Sequence, residues 1–188
     1  MSTEEKDFAV NGINHLALVC SNMQRTVEFY SDKLGFPLIK TVELPGGAGQ
    51  HFFFDIGGGN HLAFFWFSKA TAAVPGVSAP VGLPGIDDIT SAIGSMNHVA
   101  FNISLDKFDE YQEKLKAKGI KTGVILNHDD SPSTVAREMH PGVFVRSLYF
   151  MDPDGIVLEF ACYTRELTAA DVRHAPAGEA TISETVTA

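Results

Sequence analysis

The sequence predicts an α+β protein made of two paired βαβββ modules. Three observations carry this. The chain writes Asn-His-apolar-Ala-apolar three times, as NHLAL at 14–18, NHLAF at 60–64 and NHVAF at 97–101. The order strand, helix, three strands occurs twice. Within the opening and closing strands, His15, His98 and Glu159 interrupt apolar runs in which a polar group is costly unless it has a partner.

Each element follows from local pattern. The strand INHLALVC (13–20) opens the first module. A helix follows, with Ser21 or Asn22 as its N-cap, Met23, Val27, Tyr30 and Leu34 on one face, and Gly35 placed to end it. The strands PLIKTVEL (37–44), QHFFFDI (50–56) and HLAFFWF (61–67) complete the unit. The second copy runs through MNHVAFNI (96–103), a helix with Phe108, Tyr111 and Leu115 on one face and Gly119 at its end, then KTGVIL (121–126), FVRSLYF (144–150) and IVLEFACY (156–163). His15 precedes Gly35 by 20 residues and His98 precedes Gly119 by 21, so the copies are in step. The modules are expected over 8–68 and 94–165. A Pro- and Gly-bearing linker spans 69–93, and a largely irregular tail spans 166–188. The stretch 127–143 is a loop with no counterpart in the first module, of a length often tied to function.

Composition narrows the setting. The chain has 188 residues, 45% of them hydrophobic and 20% charged, enough for a sizeable core. No apolar run approaches the roughly 18 residues of a membrane span, and the acidic start MSTEEKDFAVNG has no apolar signal-peptide core. Net charge is -9 with no basic run, which argues against nucleic acid. Cys20 and Cys162 read as reduced thiols, and a cytoplasmic location is expected.

Strand parity sorts the polar residues. His15 shares a face with Ala17 and Val19, His98 with Ala100, and Glu159 with Val157 and Ala161, while bulky apolar residues take the other face. The bulky face is what a helix covers, and the small-residue face is a cavity wall. Two imidazoles and a carboxylate directed into one cavity would make a 2-His-1-carboxylate site with open coordination positions.

With these residues in place, the chain resembles the vicinal oxygen chelate superfamily, which holds glyoxalase I, type I extradiol dioxygenases, methylmalonyl-CoA epimerase and the fosfomycin and bleomycin resistance proteins. The resemblance spans about 8–165. It implies an incompletely closed barrel around a metal site, with His15, His98 and Glu159 as metal ligands. The run MHPGVFVRSLYFMDPDGIVLEF (139–160) further resembles the extradiol signature, through His140, Leu148-Tyr149, Asp152-Pro153, Gly155 and Glu159. Glu138 departs from it, standing where a small or β-branched residue is preferred. Glyoxalases share the turn and the glutamate, so only His140 and Tyr149 are diagnostic.

That resemblance implies a one-domain extradiol dioxygenase cleaving a catecholic ring with Fe(II) and dioxygen. His61, His140 and Tyr149 would be catalytic, and Phe53, Phe65 and Phe144 would be substrate walls. A glyoxalase- or epimerase-type enzyme using Ni, Zn, Co or Mn is the alternative, and a non-catalytic resistance protein is a third reading. His61 stays open between fourth ligand, acid–base residue and bystander. His51 and His128 have weaker claims and are expected outside the site. The expected partners are a small aromatic substrate, dioxygen and further copies of the chain, with no nucleic acid and no membrane.

Overall fold

The computed structural model of the chain describes residues 10 and 12–178. The expected module start at residue 8 and the tail from 179 onward lie outside the described residues. The first sheet holds β1 (His15–Val19), β2 (Leu38–Glu43), β3 (Gly49–Asp55) and β4 (His61–Phe67), in the order β1-β4-β3-β2. The second holds β5 (Val99–Asn102), β6 (Thr122–His128), β7 (Val135–Ala136), β8 (Val145–Met151) and β9 (Val157–Tyr163), in the order β5-β9-β8-β6-β7. In each sheet the opening strand runs parallel to the closing one, and the remaining named pairings are antiparallel. The α+β class and the repeated unit are as the sequence indicated. Neither sheet closes into a barrel.

Helix α1 (Met23–Val27) starts at Asn22, whose side chain accepts from Arg25 N at 3.0 Å. It then widens into a π-helical turn over Glu28–Lys33, which the 3.6-residue periodicity had not announced. Helix α2 (Phe108–Ala117) is regular. Gly35 and Gly119 follow the two helices with φ of 80° and 71°, a left-handed conformation that glycine adopts without steric cost. Among the described residues, the strand the sequence did not indicate is β7, a two-residue strand inside the 127–143 loop that pairs with the end of β6.

Each helix covers the bulky face of its own sheet, and the two covered faces join in one core. Tyr30 is fully buried against Phe64, with ring centroids 4.8 Å apart. Phe36 of the first module meets Phe101 of the second edge-on at 5.2 Å. Burying an aromatic side chain of this kind contributes roughly 1.5–3 kcal/mol, so the core is what holds the modules together. At the seam, Arg25 Nη2 pairs with Asp154 Oδ1 at 2.6 Å, Ser21 donates from N and Oγ to the same carboxylate, and Tyr30 Oη donates to Asp152 at 3.3 Å. The Asp152–Gly155 turn of the signature therefore acts as a latch between modules. Cys20 and Cys162 are free and buried. No described helix is long and apolar enough to cross a membrane.

Candidate metal centre

Because the helices cover only one face, the other face of each sheet is left open, and register decides what it carries. In the second sheet Ala100 of β5 pairs with Glu159 of β9, and Glu159 pairs with Tyr149 of β8. His98 stands immediately before β5 with the parity of Ala100. Its Nε2 lies 3.0 Å from Glu159 Oε2, with side chains 33% and 5% exposed. The Tyr149 ring meets the His98 imidazole edge-on at 5.5 Å. Small residues, Ala100 and Ala161, help leave a cavity of about 340 Å³ beside Glu159.

The electrostatics suit cation binding. Burial pushes the Glu159 carboxyl up. The facing His98, the nearby Ser147 hydroxyl and the charge of His128 outweigh it, and the carboxyl ends below its ordinary value. Tyr149 goes the other way: burial, reinforced by the Glu159 charge, pushes it to about 12. It therefore keeps its proton at neutral pH and can donate it in a hydrogen bond. Ser147 Oγ is fully buried on the same face and lacks a partner in hydrogen-bond geometry among the described residues.

His15 does not join this cluster. It sits on the open face of the first sheet, exposed, edge-on to Phe53 at 5.7 Å. No group of three or more His, Cys, Asp or Glu among the described residues is placed to hold one ion. The expected in-chain convergence of His15, His98 and Glu159 is thus corrected: the structure joins two of the three. The reason is the seam. The modules meet through their helix-covered faces, which leaves the open faces unpaired with each other.

The other expected residues divide. Phe53 and Phe65 share the open face with His15, as parity required. By the same alternation Phe144 falls with Arg146 and Leu148, opposite Tyr149, so it is not on the carboxylate face. His61 pairs in register with His15, and its Nδ1 lies 3.2 Å from Asn14 O, so its ring braces the start of β1. His140 is exposed on the loop, bound through Nε2 to Asp129 at 3.1 Å, and is not gathered with His98 and Glu159.

Two histidines expected outside the site lie on open faces. His51 stacks on Phe65 at 3.6 Å and meets Phe53 at 4.3 Å, with burial as the main cause lowering its pKa. His128 ends β6, near enough for its charge to act on Glu159. The period-two pattern of β3, which sets His51 with Phe53, could have found the first. His128 becomes legible only once β6 is seen to extend past Leu126.

The fold belongs to a known class. The family model for the Glyoxalase/Bleomycin resistance protein/Dioxygenase superfamily matches residues 12–160, and the chain belongs to that family. It is similar to the Metallothiol transferase FosB of Lysinibacillus sphaericus, with 27% identity over 153 residues, 81% of this chain and 83% of that protein. Among solved structures it is similar to the glyoxalase family protein from Enterococcus faecalis, at 26% identity and a TM-score of 0.56, over 80% of this chain and 97% of that one. It also shares a fold with a mutant of the fosfomycin resistance protein FosX from Listeria monocytogenes, complexed with Mn(II) and 1S,2S-dihydroxypropylphosphonic acid. That match has 19% identity and a TM-score of 0.51, over 85% of this chain and 96% of that one. The superfamily expectation stands, and these matches do not carry the narrower likeness to ring-cleaving dioxygenases.

Proposed function

We propose that the chain is a divalent-metal-dependent enzyme acting on a small, oxygen-bearing substrate, with His98 and Glu159 of one copy and His15 of a second copy as ligands. The observation that carries this is the His98 Nε2–Glu159 Oε2 contact of 3.0 Å, set on an open small-residue face beside a protonated Tyr149. The donor set fits a divalent ion, since imidazole nitrogen and carboxylate oxygen bind such ions at about 2.0–2.2 Å. A second copy supplies the missing imidazole if its first sheet lies over this face. A homodimer is therefore part of the reading.

Such an ion would supply Lewis-acid activation of substrate oxygens. The chain's own part is positioning and charge. Tyr149 Oη donates to an oxygen on which negative charge develops, and its high pKa keeps the proton in place until then. Ala100 and Ala161 leave room for substrate beside Glu159.

Two reactions fit. Addition of a thiol or another nucleophile to an electrophilic substrate is favoured by the likeness to a metallothiol transferase. The alternative is extradiol cleavage with Fe(II) and dioxygen. Tyr149 beside Glu159 and the Phe53 and Phe65 wall support it, while His140, bound to Asp129, does not.

The test has two stages. Wild type and the His15→Ala, His98→Ala and Glu159→Ala variants are titrated with Mn(II), Zn(II) and anaerobic Fe(II). Each variant should lose binding, and an equimolar mixture of His15→Ala with Glu159→Ala should regain part of it through mixed pairs. Recovery with no mixed pairs formed, or none when they do form, defeats the shared site. Thiol consumption with an epoxide panel is then set against oxygen uptake with a catechol panel, and whichever signal appears selects the reaction.

A further inference from the structure

Two of the three Asn-His pairs share a contact that the third lacks. His98 Nδ1 lies 2.8 Å from Asn97 Oδ1, and His15 Nδ1 lies 2.8 Å from Asn14 Oδ1. An amide oxygen can only accept, so Nδ1 is the donor in both contacts. For Asn97 the sense of the amide is fixed independently. Its Nδ2 donates to Ile89 O in the linker at 2.8 Å, and a reversed amide would set two oxygens against each other there. With the proton on Nδ1, the atom able to offer a lone pair is Nε2, and Nε2 is the atom that faces Glu159.

The third pair is built otherwise. Asn60 Nδ2 donates to the carbonyls of Gly57 and Gly58, at 3.3 and 3.0 Å, and so closes the β3–β4 turn. His61 Nδ1 faces a backbone carbonyl rather than its own asparagine. The same dipeptide thus serves a turn in one place and an imidazole in the other two.

We propose that Asn97 and Asn14 are positioning residues that hold His98 and His15 as Nδ1–H donors, so that each presents Nε2 to the ion. The linker takes part, because the Ile89 carbonyl orients the Asn97 amide. This rests on the metal reading above. Partners that fix the tautomer and ring orientation of a ligand histidine are typically worth 10–100-fold in metal affinity. The arrangement also accounts for asparagine at these positions: its oxygen accepts from the imidazole without adding a charge, and in Asn97 its nitrogen ties the strand to the linker.

The test uses the full chain labelled with ¹⁵N, reading histidine nitrogen shifts before and after Zn(II) is added. Wild-type His98 and His15 should show a protonated Nδ1 in both states. Asn97→Leu should lose that preference at His98 in the metal-free protein and weaken Zn(II) binding by 10–100-fold, while Asn97→Asp, which keeps the acceptor for Nδ1 but loses the donor to Ile89 O, should retain the protonated Nδ1. Asn14→Leu should do the same at His15. A structural role alone would lower the melting temperature of Asn97→Leu but leave the Nδ1 signal in place. If Asn97→Leu keeps a protonated Nδ1 and binds Zn(II) as wild type does, the inference is overturned and the metal reading stands. If wild type binds no divalent ion, both fall.

Discussion

The two sheets share a plan and differ in what they carry on their open faces. In the first, Ala17 pairs with Ala63; at the matching place in the second, Ala100 pairs with Glu159. Around Ala63 lie imidazole and aromatic rings, with His15, Phe53, His51, Phe65 and Phe67 in successive contact. Around Glu159 lie His98, Tyr149 and Ser147. The repeat thus holds the scaffold constant and lets the exposed parity change its chemistry. Neither face is complete: the first has imidazoles but an alanine, Ala63, at the place of Glu159, and the other has that carboxylate with a single close imidazole. That complementarity is the physical argument for a second copy.

The largest effect should come from the residue that makes the faces unlike. Glu159→Ala removes the one carboxylate of the site and leaves His98 facing an empty, buried position. Metal affinity should fall by more than about 100-fold, beyond the usual loss of an outer-shell partner, as read by calorimetric titration. Ala63→Glu sharpens the comparison by writing the second face's carboxylate onto the first, two residues from His61 in β4. If affinity in Glu159→Ala returns when Ala63→Glu is added, the two faces are interchangeable. If it does not, the surroundings of Glu159 matter as much as its register.

The β3–β4 and β8–β9 turns give the same lesson at the seam. In the first module the turn is Gly57-Gly58-Gly59, all three at positive φ. In the second it is Asp152-Pro153-Asp154-Gly155, which reaches across to α1. Burial raises the Asp152 carboxyl to about 6 against an ordinary 3.8, despite the backbone N–H groups of Asp154 and Ile156 that it accepts. Since the folded value is the higher one, its stabilising contribution is complete below about pH 4. It is lost as pH rises through 6, a change of about 3 kcal/mol for a shift of this size. Asp152→Asn keeps an acceptor oxygen for both N–H groups and cannot ionise. Denaturant unfolding at pH 4, 5, 6 and 7 should therefore show the variant gaining on wild type as pH rises, and parallel curves would place the pH dependence elsewhere.

Tyr149→Phe should act on rate and spare binding. The hydroxyl is the proposed donor, pushed up to about 12 by burial and so protonated, and the ring packs with Leu126 and Val157 whether or not the oxygen is present. Turnover should drop by roughly 10²–10³, the cost of losing one preorganised donor. Metal affinity should stay within about threefold of wild type. Weakened metal binding at unchanged turnover would make the tyrosine a support for Glu159 rather than a donor to substrate.

The fold was readable because its signals are local. Alternation set the strands, glycines ended the helices, and the repeat aligned the two copies. His98 and Glu159 were readable for the same reason, since parity places side chains within one sheet. What parity cannot encode is which face meets which across modules. That depends on contacts such as Tyr30–Asp152 and Arg25–Asp154, 122 and 129 residues apart in sequence. His140 is set apart for a related reason: spacing brings it near Tyr149 along the chain, but Asp129, eleven residues earlier, holds it on the loop.

The smallest effect concerns His61, the histidine of the third repeat. It lies beside His15 in register, and the second-sheet residue at its place is Val157, two before Glu159. An apolar residue at the matching place argues that the scaffold itself needs no imidazole there. What His61 adds is the 3.2 Å contact of Nδ1 with Asn14 O, one hydrogen bond on the residue that precedes a proposed ligand. A bond of this kind contributes about 1 kcal/mol. His61→Ala should therefore lower stability by about that amount in urea unfolding, and weaken metal binding no more than a few-fold through a looser Asn14–His15 corner. A rate loss of 10² or more at full metal occupancy would instead make His61 an acid–base residue and move the ring-cleavage reading ahead of thiol addition. Loss of metal that excess ion restores would make it a ligand, and the first face would then contribute two imidazoles to the shared site.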